Sequence, residues 1–189
     1  MYYLTLRSDL MNTYNIIAQA VGIFAMAFNI LSYQQKTRKM AIAFQLGGSI
    51  LFSINFFMLG ATVGGILNAV GIIRALVFLN KEKLHADRPI WLAGFTAAYI
   101  LSYILTFTAF GKEPTAFNFF IELLPVIGMI ATTISFRLTD AKSIRRYGLI
   151  SSPSWLVYNI VNFAIGAIIC EVLSLCSIVI GMIRLDRKK

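Results

Sequence analysis

The sequence is poor in acidic residues, histidine and cysteine. Its 189 residues include eight Asp or Glu, one His and two Cys. Catalytic and metal sites need clusters of such side chains, and the single histidine, His85, lies in a charged stretch where we expect it to be solvated. Cys170 and Cys176 share one apolar segment, on different faces, and have no CxxC-type partner. The sequence therefore predicts no enzyme, no metal site, no cofactor and no disulfide.

Charged residues are also too few to cover a soluble domain. They make up 13% of the chain, whereas 58% is hydrophobic and the mean hydropathy is +0.76. Several apolar runs approach ~20 residues, the length that crosses a bilayer core of ~30 Å. The net charge of +9 lies in short loops between these runs and not on one surface, so we expect no nucleic-acid partner. The composition predicts an all-α polytopic membrane protein in contact with the lipid bilayer.

The apolar runs divide into seven predicted transmembrane helices. The run over 40–80 is long enough for two spans and must fold back, with Gly60 at the predicted turn. The run over 147–183 repeats this pattern, with its turn near Gly166. Pro89 suits the first turn of the fourth helix. The first five predicted spans are 15–34, 41–59, 62–79, 90–110 and 117–137, and the run over 147–183 holds the last two.

Lysine and arginine are distributed unequally between the two sides of these spans. The loops after the odd-numbered helices and the C-terminal tail hold fourteen of them, whereas the opposite side holds Arg7 and Lys112. Loops rich in Lys and Arg stay in the cytoplasm. The pattern predicts an N-terminus outside the cytoplasm and a cytoplasmic C-terminus.

An internal repeat relates the two halves of the chain. The stretch FNILSYQQKTRK at 28–39 and the stretch ISFRLTDAKSIRR at 134–146 both end an apolar run, pass through a polar hinge and become cationic. Three helices, one linker helix and three more helices would give two units of the same orientation. The predicted division is one membrane domain over 1–189, with repeats at 15–80 and 117–185 and a linker at 89–111. The matched positions include Ser32 with Ser135, Tyr33 with Phe136, Asn55 with Asn159, and Asn68 with Ser174.

The stretch ILSYQQKTRKM at 30–40 resembles the PQ-loop signature, in which Pro-Gln ends the first helix before a basic loop. Gln34 stands at the place of the proline and Gln35 matches the glutamine. With its repeat and orientation, the chain resembles the SWEET and PQ-loop transporter superfamily, and over nearly its full length it is similar to the YgjV-type family of bacterial inner-membrane proteins. The resemblance implies a transporter of sugar-like solutes that alternates access between two three-helix bundles. Proton-coupled transport of amino acids or cations is the second solute class.

Several residues within the spans are candidates for the solute path. In SWEET-like proteins an asparagine on the third helix of each triplet faces the substrate, which implies this role for Asn68 and, by position, for Ser174. Asn55 and Asn159 complete the predicted binding set. Small and polar residues at helical spacing can instead serve helix packing alone, and both interpretations remain open.

Glu122 and Glu171 are the acidic residues within the spans. A charge at mid-bilayer costs ~2.5–3.5 kcal/mol or more, so such residues face protein or water and often carry function. We predict proton coupling for them, with extension to the outer surface as the alternative. The resemblance makes Pro125 and Pro153 hinges of the second triplet, whereas Arg74 is expected to extend to lipid phosphate.

A second function class remains beside transport. A non-transporting membrane scaffold, or a protein that binds lipid or a partner, would also have short loops and a basic cytoplasmic face that attracts anionic lipid. A homo-oligomer is left open, although one chain already holds two triplets and a monomer could suffice.

Overall fold

The computed structural model of the chain describes residues 2–58, 62–161 and 165–186. Within these ranges the chain forms seven α-helices and a short π-helical segment at Met182–Asp186. Five helices contain a window long and apolar enough to cross a membrane, and Gly65–Leu79 forms a shorter apolar helix. The helices are α1 Tyr2–Tyr33, α2 Arg38–Met58, α3 Thr62–Leu79, α4 Pro89–Thr108, α5 Ala116–Arg137, α6 Ala141–Val161 and α7 Ile165–Gly181.

Large apolar side chains cover the outside of the helices. Ile23, Phe24, Ile73, Ile90 and Phe117 are each more than half exposed. An apolar surface of this extent is unfavourable in water, but it fits the hydrocarbon core of a bilayer. The exposed surface therefore confirms the predicted membrane class.

The starts of three helices are set by short polar side chains that cap them. Thr37, Thr115 and Asp140 each accept a hydrogen bond from a backbone N–H three residues later, which satisfies one free donor of the first turn. The donors are Met40, Asn118 and Ser143, at 3.3, 3.1 and 2.7 Å. At α4 the predicted role of Pro89 is confirmed, because it opens the helix.

Some predicted boundaries differ from the structure. The prediction began the sixth helix at Tyr147, but α6 begins at Ala141 because Asp140 caps it and the basic segment KSIRR continues as helix. The predicted turn near Gly166 agrees with the structure, since α6 ends at Val161 and α7 begins at Ile165. Gly60, the other predicted turn, lies outside the described residues.

The helices pack mainly in chain order. Helix α2 packs between α1 and α3, and α6 packs between α5 and α7. Further contacts join α1 to α7, α2 to α6 and α3 to α5, while α4 packs against α3 and α5. The interior between α1–α3 and α5–α7 is therefore surrounded by six helices.

Helix α4 is fixed to its neighbours by aromatic side chains. Trp91, Phe95 and Tyr99 follow one another at four-residue spacing on one face of α4, with ring centroids 6.3 and 6.5 Å apart. Phe78 of α3 lies 6.1 Å from Phe95 and 6.0 Å from Phe136 of α5. This aromatic cluster holds α4 on the outside of the bundle, next to the ends of α3 and α5.

Candidate functional site

A cavity of about 160 Å³ lies inside the bundle. Helices α1, α2, α3, α5, α6 and α7 all contribute to its wall, whereas none of the described lining residues comes from α4. Within a bilayer, polar groups must find partners in protein or in water, so a polar cavity here is the candidate binding site. Its polar lining residues are Asn29, Tyr33, Gln45, Ser49, Asn68, Arg74, Thr132, Ser151, Ser152, Asn159 and Glu171.

Arg74 of α3 brings a positive charge into this cavity, and only 7% of the residue is exposed. Its Nη1 donates to the Tyr99 hydroxyl at 3.3 Å and to the Met129 carbonyl at 3.5 Å. Its Cζ lies 5.1 Å from the centre of the Phe136 ring. The prediction that Arg74 extends to lipid phosphate is wrong, because neutral acceptors and an aromatic ring hold its guanidinium inside the bundle.

Glu171 of α7 brings a carboxyl group to the same wall. Its carboxylate interacts with the side chain of Ser152, which also interacts with Tyr33. Across the described residues the two ion pairs are Lys112 with Glu122 and Arg145 with Asp186. The cavity wall therefore contains the Arg74 guanidinium and the Glu171 carboxyl group, which do not form an ion pair with each other.

Two of the four predicted binding residues line the cavity. Asn159 of α6 is 7% exposed, and Asn68 of α3 is half-buried one turn before Gly71. Asn55 lies elsewhere, where its Nδ2 donates to the Ala18 carbonyl of α1 at 2.7 Å. Ser174 is fully buried away from the lining, and its hydroxyl has no hydrogen-bond partner among the residues that the structure describes.

The other predicted site residues also differ in their surroundings. Glu122 is not among the lining residues, and its carboxylate accepts from the Lys112 Nζ at 2.9 Å. Pro125 is buried within α5 and Pro153 is half-buried within α6, both inside continuous helices. In the described part of the chain, no group of three or more His, Cys, Asp or Glu could hold a metal ion.

Arg74, Tyr33 and Ser152 are lining residues that the sequence analysis did not assign to the site. A signal for Arg74 was present, because Asn68, Gly71 and Arg74 recur at three-residue spacing on one face of α3. Arginine near a helix end often reaches the membrane surface, which is why the sequence favoured that position for Arg74. Ser152 also carried a signal, because it lies at helical spacing from Asn159 on α6, whereas Tyr33 carried none.

One end of the bundle collects most of the cations, and we call it the basic end. It comprises the segments 34–38, 79–89, 137–145 and 182–186. Gln34, at the place of the signature proline, donates from its Nε2 to the carbonyl and hydroxyl of Ser177 at 2.6 and 2.8 Å. At this end, therefore, α1 is hydrogen-bonded directly to α7.

Two arginines at the basic end connect the halves of the chain reciprocally. Arg145 of α6 donates to the Gln35 carbonyl at 2.9 Å and to the Tyr33 carbonyl at 3.4 Å, at the end of α1. Arg38 of α2 donates through Nε to the Phe136 carbonyl at 2.8 Å, at the end of α5. The last carbonyls of a helix lack intrahelical partners and carry partial negative charge. We refer to these contacts of Arg38 and Arg145 as the arginine clasps.

Further polar contacts surround the arginine clasps. Arg145 pairs with Asp186 beyond α7, and Arg38 also donates to the Phe78 carbonyl at 2.9 Å. Lys81 donates to the Arg137 carbonyl. Burial lowers the pKa of Lys81, and Arg38 and Arg137 lower it further. The basic end therefore holds several cations close together, and backbone carbonyls accept hydrogen bonds from them.

Apolar helices around an internal polar cavity define a polytopic helical membrane protein. Residues 16–189 match a family described as Bacterial inner membrane protein (Imp-YgjV), and the chain belongs to this family. It is 24% identical to the Inner membrane protein YgjV of Escherichia coli (strain K12) over 159 residues, which cover 82% of this chain and 76% of that protein. No solved structure matches the chain significantly. The chain is therefore a protein of the bacterial inner membrane.

Proposed function

We propose that the protein transports a small polar solute by alternating access between two three-helix units, α1–α3 and α5–α7, with α4 as the linker. The observation that carries the proposal is the central cavity, to which both units contribute three helices and α4 contributes no described residue. Transporters built from internal repeats bind their substrates near mid-membrane, at the interface between the repeats. The cavity lies between the two proposed units, as expected for such a binding site.

The pattern of helix contacts supports a two-fold relation between the units. A two-fold axis along the bundle would exchange α1 with α5, α2 with α6 and α3 with α7. Under this exchange the α1–α7 contact becomes the α5–α3 contact, and the α2–α6 contact is unchanged. All three contacts occur, as expected for parallel repeats related by an axis along the membrane normal.

Matched side chains support the same relation. Ser32 Oγ donates to the Asn29 carbonyl at 2.6 Å, and Ser135 Oγ donates to the Thr132 carbonyl at 2.7 Å. Asn29 and Thr132 also occupy matched positions, because each lies three residues before its serine. Both line the cavity. The arginine clasps follow this relation too, since each unit supplies an arginine to the helix end of the other.

The arginine clasps also suggest how access is controlled. They join the two units at the basic end, where Lys and Arg place the cytoplasm by the positive-inside rule. In the proposed cycle they close the cytoplasmic side, with the N-terminus in the periplasm. Pro125 and Pro153 remain the proposed hinges, because proline removes a backbone hydrogen bond inside a helix.

Proton coupling is assigned to Glu171 ahead of Glu122. Glu171 lines the cavity with Tyr33, Arg74 and Cys170 as the surrounding titratable groups, whereas Glu122 pairs with Lys112 away from it. The family resemblance favours a sugar-like solute, which amides and hydroxyls can bind. The cavity volume of about 160 Å³ is below the ~300–1,000 Å³ typical for drug-sized ligands, so the solute is a small molecule.

Flux into proteoliposomes tests this function. The panel holds a monosaccharide, a hydroxy acid and an amino acid, each measured with and without a pH gradient. We expect uptake of one class, loss of uptake in Gly71→Leu, which fills the cavity, and unchanged uptake in Gly94→Leu. Gly94 is the matched control because nothing lies within 4 Å of a Cβ atom at that position.

The same assay separates the alternatives. Glu171→Gln should remove the response to the pH gradient, and Glu122→Gln should keep it. If folded protein takes up none of the solutes at a rate above that of protein-free liposomes, transport of these classes is contradicted. A non-transporting scaffold or lipid-binding protein would then be the better description.

A further inference from the structure

We propose that the cavity binds the carboxylate group of a small organic acid, with Arg74 as the residue that receives it. The inference concerns the ligand of the proposed transport cavity and therefore extends the proposed function. It departs from the neutral sugar that the family resemblance favours, because it rests on a charged group that the cavity wall contains.

The first step is the unbalanced charge of Arg74. The residue is 7% exposed, and no acidic side chain among the described residues forms an ion pair with it. Arginine stays protonated in proteins, and a buried charge is normally paired with an opposite charge. A negatively charged ligand in the cavity would provide the missing partner.

The second step is the hydrogen-bonding state of the guanidinium. Its Nη1 is directed at Tyr99 and the Met129 carbonyl, whereas its buried Nε has no hydrogen-bond partner within the described residues. Its Nη2 lies 3.9 Å from the point where a side chain of Gly71 would begin, so the glycine leaves space beside it. The Nη2 donor beside this space is the atom that can receive a carboxylate oxygen, in a charge-assisted hydrogen bond.

The third step is that the guanidinium is held in place before any ligand arrives. Tyr99 comes from α4, is fully buried, and also hydrogen-bonds to the Thr133 hydroxyl at 3.0 Å. The Phe136 ring packs against the guanidinium carbon. A donor that is already ordered loses little conformational entropy on binding, so these neutral neighbours prepare Arg74 for an anion without neutralising it.

The remaining polar wall limits the rest of the ligand. Asn68, Asn159 and Ser152 offer hydrogen bonds to a hydroxyl or amino group, and Glu171 offers a carboxyl group that can ionise beside a bound cation. A small hydroxy acid and a small amino acid share the carboxylate and differ in the second group. An amino acid would use Glu171 for its ammonium group, whereas a hydroxy acid would not need this charge.

Thermal unfolding of the purified full-length protein tests the inference with four probes, lactate, alanine, glucose and inorganic phosphate. A ligand that binds the folded state raises the unfolding temperature with concentration. We expect stabilisation by lactate or alanine and none by glucose. Arg74→Gln should weaken the carboxylate affinity at least ~30-fold, as for a buried charge pair that loses one partner. Arg146→Gln is the matched control, because Arg146 is exposed, and it should keep the wild-type affinity.

A second variant keeps the test decisive if Arg74→Gln does not fold. Arg74→Lys retains the charge but not the planar fork, so we expect a weaker carboxylate affinity that remains measurable. Unchanged affinity in Arg74→Lys, stabilisation by glucose alone, stabilisation by inorganic phosphate alone, or no response to any probe would overturn the inference. Glu171→Gln then distinguishes an amino acid from a hydroxy acid as the ligand, since it should weaken alanine binding but not lactate binding.

The binding and flux assays can fail separately. Carboxylate binding through Arg74 without any flux would support this inference and contradict transport. Flux of a neutral sugar that is unchanged in Arg74→Gln would support transport and contradict this inference.

Discussion

Asn55 and Asn159 occupy matched positions in the two halves, but their side chains have different surroundings. Asn55 is hydrogen-bonded to the Ala18 carbonyl of α1, and its amide lies against Gly22, where a side chain would begin 3.1 Å from Nδ2. Asn159 lines the cavity. One asparagine therefore joins two helices, whereas the other faces the cavity.

Alanine substitutions at the two asparagines should therefore separate stability from binding. Asn55→Ala loses an interhelical hydrogen bond, so we expect a loss of ~0.5–2 kcal/mol in the free energy of unfolding and unchanged ligand affinity. Asn159→Ala should weaken the ligand ~2–10-fold, the value of one net hydrogen bond. Denaturant unfolding and a ligand titration on both variants provide the comparison. Equal losses of affinity would contradict the assignment.

For individual residues, the sequence predicted burial inside the bundle better than it predicted the role of each buried side chain. Ala18, Ala25 and Ser32 follow one another at seven-residue steps on one face of α1, and all three are fully buried. The role of Arg74 was not predictable from helical spacing, because its burial depends on acceptors that α4 and α5 provide. These acceptors, Tyr99 and the Met129 carbonyl, are 25 and 55 residues away in sequence.

At the scale of helices, the close approach of α7 to the end of α1 requires a glycine. A side chain at Gly181 would begin 2.6 Å from the Tyr33 carbonyl oxygen and 3.0 Å from the Arg145 Cδ. The carbonyl belongs to the helix backbone and cannot move independently. Even one methyl group at this position would push α7 away from α1.

Gly181→Ala should therefore destabilise the folded protein. Overpacking of a tight contact costs ~1–3 kcal/mol, and we expect a lower unfolding temperature. Gly94→Ala is the control, because nothing lies within 4 Å of its added methyl group and alanine favours the helix by up to ~1 kcal/mol. If Gly181→Ala is as stable as Gly94→Ala, the contact between α1 and α7 is looser than described.

Helix positions were predicted well where apolar runs end at charged loops. The predicted third helix over 62–79 agrees with α3, and the predicted fifth over 117–137 differs from α5 by one residue. The start of α6 was missed because Lys142, Arg145 and Arg146 were read as a loop. Their charge indicates the end of the membrane but not the end of the helix, which continues into the polar layer.

At the scale of the whole molecule, the arginine clasps are the polar contacts that join the two proposed units reciprocally. Arg38 and Arg145 each donate to carbonyls at the end of a helix in the other unit. Hydrogen bonds from charged groups contribute ~1.5–3 kcal/mol each, so losing one should shift the equilibrium toward an open basic end ~10-fold or more. In the proposed cycle this opening exposes the cavity to the cytoplasm.

Cys170 provides a probe of that opening, because it lines the cavity and is 5% exposed. In a Cys176→Ser background, a membrane-impermeant maleimide applied to the basic end of inside-out vesicles should label Cys170 slowly. Arg38→Gln and Arg145→Gln should each accelerate labelling ~10-fold, and the double variant more, whereas Arg146→Gln should not. Label applied from the opposite side should not react faster in these variants, because only the basic end is released. If the folded double variant is labelled at the wild-type rate, the clasps stabilise the bundle without closing the cavity, and the gate of the proposed transporter must lie in other contacts between the two units.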